Sequence, residues 1–296
     1  LITWLLLVES RRTNAVNLRF FYARRALRIL PVYFAFLATL FVIERTTPFS
    51  MDRRTWIGDL TFTADLLGSS NWTSGHLWSL AVEEQFYLVW PAIFIATRAH
   101  ERIRNAGFAL MAPILICPLL RVAAYLKLLP GHIYSGAFSF DTIAIGCAAA
   151  LLLFHFSDRI GPILKSKLKF LLPVGFLLIL VPYALTKLYR LGMFTIPLGE
   201  PVQAIGFCIL LLAGITNPQR LFFPALQWRW LVWMGVLSYS IYIWQMIFCT
   251  KAEAYGLGPV FWLSFPCWML SAVLAASASF YLLERPLFAL RRHFRP

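Results

Sequence analysis

Acidic side chains are the scarcest feature of this sequence. Only 13 of its 296 residues are Asp or Glu, against 27 Lys and Arg, and charged residues of both signs make up 14%. A soluble domain carries about 25% charged and about 45–50% apolar residues, whereas here 60% are hydrophobic and 16% aromatic. That balance excludes an ordinary water-soluble fold. The five cysteines, Cys117, Cys147, Cys208, Cys249 and Cys267, lie far apart in apolar segments. No two stand at metal-ligand spacing and their number is odd, which argues against a disulfide framework or a cysteine metal site. They read as small apolar residues inside spans. No internal repeat, low-complexity tract or linker is visible, and nothing predicts a bound metal.

What the sequence does have is apolar runs along its whole length. They fall at residues 29–43, 76–97, 107–126, 138–156, 170–186, 201–216, 231–250 and 260–283. A crossing helix needs about 20 mainly apolar residues, so the pattern predicts an all-α, polytopic helical membrane protein with eight complete transmembrane helices. The opening LITWLLLV predicts the tail of one more span whose beginning is missing, so the chain reads as a fragment lacking its amino terminus. Residues 9–28 read as a basic loop. Residues 56–68 are apolar but too short to cross and contain Asp59 and Asp65, which predicts a re-entrant or interfacial piece. Residues 1–296 form one integral membrane domain on this reading.

A net charge of +14 would suggest a nucleic-acid partner in a soluble chain. In a membrane chain, Lys and Arg gather on the cytoplasmic side. If alternate loops beginning with residues 9–28 are cytoplasmic, 19 of the 27 basic residues lie on that side and 7 on the other, with Arg121 inside a span. Counting residues 56–68 as a span would invert this bias. The reading therefore has no nucleic-acid partner, membrane lipid as a partner, a cytoplasmic carboxyl terminus, and His76 near the external face.

The densest chemistry lies in Gly75-His76-Leu77-Trp78-Ser79-Leu80-Ala81-Val82-Glu83-Glu84-Gln85-Phe86-Tyr87-Leu88-Val89-Trp90-Pro91. On a helix, His76, Ser79, Glu83 and Tyr87 share one stripe, with Glu84 at its edge. Ionisable groups in a bilayer cost roughly 2.5–3.5 kcal/mol each on insertion scales and usually face a protein interior or a wet cavity. Two adjacent carboxylates in low dielectric do not both ionise cheaply, so one can keep a proton and act as acid or base. The alternative is that one glutamate pairs with an arginine and locks two helices.

Three other groups stand out. Arg25 and Arg28 share a helix face at the start of a span, fit to meet a phosphate-bearing ligand or to anchor on anionic lipid. Asp141 opens an apolar helix, either as a charge at its amino end or as the partner of a buried arginine such as Arg121. In Leu237-Ser238-Tyr239-Ser240-Ile241-Tyr242-Ile243-Trp244-Gln245, the residues Ser238, Tyr242 and Gln245 share a face that could line a polar pocket or bond between helices. His100, His132, His155 and His293 fall in loops or at a span end and read as solvated or interfacial.

Together these stretches resemble the acyltransferase-3 family, integral membrane enzymes that O-acetylate lipopolysaccharide O-antigen, exopolysaccharide, Nod factor, macrolides and related acceptors. FYARRALRILPVYF resembles the family's Arg-x-x-Arg element, HLWSLAVEEQFYLVWP its most distinctive motif, FDTIAIGCAAALL its Asp-containing span, LSYSIYIWQ its late Tyr-rich helix, and YLLERPLFALRRHF its ending. The resemblance implies about ten spans with both termini cytoplasmic, in a bacterial inner membrane. It implies acyl-CoA, most simply acetyl-CoA, as co-substrate, with its phosphates met by Arg25 and Arg28. It also implies a hydroxyl of a carbohydrate or glycolipid as acceptor. Catalytic roles fall on Glu83, Glu84 and His76, and pocket roles on Ser79, Tyr87, Asp141, Tyr239, Tyr242 and Gln245. The family's proposed catalytic histidine, with an arginine eleven residues before it, belongs to a first span that lies upstream of residue 1. Many members carry Arg-Phe-Asp where this chain has Ser139-Phe140-Asp141. A proton-coupled secondary transporter or flippase is the competing reading of buried carboxylates, opposed by the lack of repeats and paired broken helices.

Overall fold

A computed structural model describes residues 1–68, 71–129, 138–187 and 192–290, and among these no strand occurs. His132, His293 and the basic tail Arg291, Arg292 and Arg295 lie outside the described residues. The helices in chain order are α1 (Ile2–Thr13), α2 (Leu18–Thr46), α3 (Arg53–Thr61), α4 (Ala64–Leu67), α5 (Leu77–Ala96), α6 (Ile103–Tyr125), α7 (Phe140–His155), α8 (Ser157–Ser166), α9 (Leu168–Lys187), α10 (Gly192–Thr216), α11 (Arg229–Cys249), α12 (Cys267–Ser279) and α13 (Arg285–Leu290). A π-helical stretch, Phe280–Glu284, joins the last two.

The protein is an all-α polytopic membrane protein. Among the described residues, six helical stretches are long and apolar enough to cross a bilayer: Leu18–Thr46, Ile103–Tyr125, Leu168–Lys187, Thr195–Thr216, Arg229–Cys249 and Cys267–Leu290. A seventh arises if α7 and α8, bent by 105° at their junction, count as one span. α5 is long enough, but Glu83, Glu84 and Gln85 in its middle lower its apolarity and it is not among the six.

Two stretches expected as basic loops are helical instead. α1 stops at Asn14, which takes the left-handed conformation (φ 54°) that asparagine tolerates better than most residues. The Asn17 side chain then accepts the Phe20 N–H at 3.1 Å, a cap that starts α2 well before Ile29. Arg24, Arg25 and Arg28 therefore lie on helix, not loop. Arginine is a good helix former, and its long stem lets the guanidinium reach water from an apolar helix end. Residues 157–166 likewise form α8, an amphipathic helix with Leu164 buried and Ile163 exposed.

The chain divides into two compact units whose segments alternate in sequence. One is Leu1–Val16 with Val82–Leu226, and the other is Asn17–Ala81 with Gln227–Pro296. In the first, α9 and α10 pack closely because both lack side chains where they meet. A Cβ on Gly206 would stand 2.8 Å from the Gly175 carbonyl oxygen, and one on Gly175 would stand 2.7 Å from a Leu210 methyl. Small residues at helix contacts let backbones approach in just this way within a membrane.

In the second unit, α2 and α11 contribute Val32, Tyr33, Phe36, Leu37, Leu40, Ile243 and Ile247 to one buried core, joined by Leu77 and Leu80 from the first turn of α5. Residues 56–68 make no span. They form the end of α3 and the single turn α4, and α2 holds them in place. The Tyr33 hydroxyl donates to the Asp59 carbonyl at 2.6 Å, and the Tyr33 ring stacks on Phe62 at 4.4 Å. The Glu44 carboxylate accepts the Met51 N–H at 2.9 Å and the Trp56 indole N–H at 3.0 Å.

Candidate functional site

The polar centre of the second unit is the entry into α5. The helix begins at Leu77, so His76 precedes its first turn rather than lying within it. Three donors converge on the His76 carbonyl: the Ser79 N–H at 3.4 Å, the Ser79 hydroxyl at 3.3 Å, and the Tyr242 hydroxyl from α11. The hydroxyls of Ser79 and Tyr242 also lie within bonding distance of one another, and whichever donates there gives up its bond to the carbonyl, because each hydroxyl has one proton. This network fixes the backbone of His76 and hence where its ring can go. The ring packs edge-on against Phe36 (5.6 Å) and Tyr242 (5.1 Å), and Phe36 in turn meets Trp244 at 5.9 Å. Both ring nitrogens are shielded from solvent and neither makes a hydrogen bond of good geometry. The backbone of Ile243 is the polar group beside them. An imidazole held this way can exchange a proton with whatever polar atom reaches it.

The boundary between the units falls within α5, between Ala81 and Val82. Glu83, Glu84 and Tyr87 belong to the first unit. Glu83 is exposed and Glu84 and Tyr87 are half-buried; the Tyr87 hydroxyl donates along the helix to Glu83 at 3.4 Å. On the neighbouring face, Gln85, Phe86, Val89 and Trp90 line a cavity of about 360 Å³ closed by Leu110 and Pro113 of α6 and by Phe140 of α7. Its aromatic wall is ordered by stacking of Phe86 on Trp90 (5.8 Å) and on Phe140 (6.3 Å). The Trp90 indole donates to the Thr3 hydroxyl of α1 at 3.0 Å.

Asp141 sits in a different centre of the first unit. It is fully buried and meets Arg121, itself 1% exposed, through two bonds of 3.0 and 2.5 Å. It also accepts its own helix's Thr142 N–H at 2.9 Å. The two roles open in the sequence, charge at a helix amino end and partner of Arg121, are thus combined in one carboxylate. The Arg121 fork further donates to Glu200 at 2.9 Å and to the carbonyls of Phe138 (2.9 Å) and Pro197 (3.0 Å). Ser139, standing where many family members have arginine, donates its hydroxyl to the same Glu200 oxygen at 2.9 Å. Glu200 is 43% exposed. Sequence reasoning did not single it out; a lone carboxylate between Pro197 and Pro201 beside an apolar run was the available signal.

The remaining candidates lie in the second unit. Arg25 is half-buried and Arg28 exposed near the start of α2. The charge of Arg28 acts on Glu284, a buried carboxylate that accepts the Ser240 hydroxyl. The Tyr239 hydroxyl donates to the Ile29 carbonyl at 2.9 Å, tying α11 to α2. Ser238 is exposed and bonds its own helix at Gly235, whereas Gln245 is half-buried, so the expected Ser238–Tyr242–Gln245 face does not assemble as one polar pocket. The sequence assigned no role to Ser240 or Glu284. On α3, burial pushes the Asp59 carboxyl up to about 7, with Asp52 adding to the effect and the Ser74 hydroxyl opposing it.

Comparison with known proteins follows the same outline. The sequence model of the acyltransferase-3 family, described as an acyltransferase domain, matches residues 2–285. The chain belongs to this family. YrhL of Bacillus subtilis, provisionally named a peptidoglycan O-acetyltransferase, is 27% identical over 97% of this chain and 48% of its own length. The peptidoglycan O-acetyltransferase OatA of Listeria monocytogenes is 26% identical over 83% of this chain and 42% of its own. The O-acetyltransferase OatA of Staphylococcus aureus is 25% identical over 97% and 50%. The chain thus spans about half the length of the curated relatives it matches. No solved structure matches it.

Proposed function

We propose that this chain is the membrane domain of an O-acyltransferase that takes an acyl group, in the simplest case acetyl, from cytoplasmic acyl-CoA. The acceptor is a hydroxyl of a cell-envelope carbohydrate, with the glycan of peptidoglycan first among the choices because two of the relatives are named for it. The observation that carries this reading is the acyltransferase-domain match over residues 2–285. The geometry adds support: an acyl transfer needs a group that takes the proton of the attacking hydroxyl, and His76 is an imidazole whose nitrogens are sheltered and whose backbone is pinned by Ser79 and Tyr242.

In this reading His76 holds or relays the proton, and Glu83 and Glu84 are carboxylates able to hold a proton of their own. Arg25 and Arg28 meet the phosphates of acyl-CoA, for which the guanidinium fork is suited. Asp141 acts on the fold through Arg121, and so on where Glu200 and Ser139 stand. Tyr239 steadies α11 against α2, and Gln245 and Tyr87 remain candidates for contacts to the acceptor. The carboxyl terminus is cytoplasmic and the membrane is the bacterial cell membrane.

The test is transfer of labelled acetyl from acetyl-CoA to envelope glycan in membranes holding the full gene product. Wild type is compared with His76→Gln, Glu83→Gln and Arg25→Ala, with and without a collapsed proton gradient. Label should reach the glycan regardless of the gradient and fall at least tenfold in each variant. Absence of label, together with solute movement that needs Glu83 and the gradient, would overturn the reading in favour of a transporter.

A further inference from the structure

At the foot of α9 the first unit holds a groove that the acyl-transfer reading does not use. It has a volume of about 380 Å³ and is lined by Lys165, Lys167, Lys169 and Arg220, together with Phe170 and Leu221. No carboxylate is among its lining residues. Four solvent-exposed cations gathered without an acid repel one another only modestly, because water and salt screen them, but together they favour an anion that joins them.

The groove is built, not incidental. Beneath it Leu168 and Leu172 of α9, Ala213 of α10 and Phe223 form a closed apolar core. Asn217, buried, donates to the Leu164 carbonyl at 3.3 Å and so ties the end of α8 to the end of α10. Arg220 adds a bond to the Lys165 carbonyl at 3.4 Å, which sets its guanidinium beside the lysines. Two segments far apart in sequence are thereby held together with their charges facing one ligand. Both belong to stretches between apolar runs that the basic-residue bias assigns to the same side of the membrane.

The rim says what kind of anion fits. Phe170 is 66% exposed and Leu221 59%, and both stand where the apolar span Leu168–Lys187 begins. α8 turns 105° away from α7 and carries the exposed Ile163. Cations at head-group level flanked by bare apolar side chains match a ligand with a phosphate above and an acyl chain below.

We propose that this groove is a binding site for the head group of an anionic phospholipid, with the phosphate held by Lys165, Lys167, Lys169 and Arg220 and the first methylenes lying on Phe170 and Leu221. Each basic residue near an anionic surface is worth about a fivefold change in binding.

The test uses the full-length protein in nanodiscs of phosphatidylcholine alone and of phosphatidylcholine mixed with phosphatidylglycerol. Lipid retained after detergent exchange is counted by native mass spectrometry and thermal stability is read in parallel. Phosphatidylglycerol should be retained and should raise the melting temperature. The double variant Lys167→Gln/Lys169→Gln should lose retention by tenfold or more while melting like wild type in phosphatidylcholine. Lys187→Gln, at the other end of α9, serves as the control and should change nothing. Equal retention by the double variant overturns the proposal. So does equal stabilisation by inorganic phosphate or coenzyme A in phosphatidylcholine through the same lysines, which would make the site one for a soluble phosphate. Neither outcome depends on acyl transfer.

Discussion

The two units bury charge in opposite ways. In the first, the two terminal nitrogens of Arg121 meet Asp141, Glu200 and two backbone carbonyls, while its Nε is buried without a partner among the described residues. In the second, Asp59 and Glu284 are equally buried, but a serine hydroxyl stands beside each, Ser74 and Ser240, and a single exposed arginine acts on Glu284. A charge surrounded by counter-charge and donors is held in one state and serves the fold. A buried carboxyl without a counter-charge beside it is pushed towards its protonated form, as Asp59 is.

That contrast breaks most sharply at Arg121. Replacing it with Met leaves Asp141 buried without its counter-charge, and loss of one partner of a buried pair costs about 3–5 kcal/mol. Thermal unfolding of the detergent-solubilised protein should show the large loss, and Asp141→Leu added to Arg121→Met should restore part of it. If the single and double variants melt alike, the pair is not the unit of stability that the geometry indicates.

Asp59 gives the next effect, and its sign is set by the direction of its shift. The carboxyl titrates near 7 in the fold and near the ordinary carboxylate value when unfolded. The unfolded chain therefore releases its proton first as pH rises. Stability from this group is greatest below about pH 4 and falls as pH climbs to about 7, by about 1.36 kcal/mol per unit of pKa difference. Melting measured from pH 5 to 8 should decline, and Asp59→Asn should flatten the decline. An identical slope in the variant would assign the pH dependence elsewhere.

Ser240→Ala should cost about 1–3 kcal/mol because it removes the hydroxyl donor to the buried Glu284. Adding Glu284→Gln should recover much of that, since a neutral amide needs less compensation. A smaller stability change is expected of Tyr242→Phe, about 1 kcal/mol for a hydrogen bond lost at a partly buried site. Its acetyl-transfer activity should fall further than its stability if His76 works where Tyr242 holds it. Tyr87→Phe, which removes only a 3.4 Å bond to an exposed carboxylate, is the matched control and should change stability little.

Much of the fold was legible in the sequence because burial in a bilayer is written in local apolarity. The runs at 107–126, 170–186 and 231–250 lie within two to four residues of α6, α9 and α11. The shortness of residues 56–68, with Asp59 and Asp65 in them, was enough to separate that piece from the spans. Helix starts were less legible: Asn17 as a cap, and arginines that continue a helix instead of ending one, carried α2 back to Leu18. α8 was hidden for a related reason, since a short amphipathic helix has the composition of a polar loop.

The candidate site was legible only as a motif. Helical periodicity placed His76 and Glu83 on one stripe, yet the helix starts at Leu77 and the compact units divide within it. Glu200, Ser240 and Glu284 carried too little local signal to be chosen.

By itself the sequence determined the membrane class, the position of most helices and membership of the acyltransferase-3 family. Each of these depends on residues that are neighbours in the chain. Only the tertiary structure decided which polar groups satisfy one another. Arg121 found Asp141 across 20 residues and Glu200 across 79, and Ser240 found Glu284 across 44. The reason is physical. Apolarity adds up locally along a helix, whereas a buried charge or hydroxyl takes its partner from whichever helix the packing brings within about 3 Å.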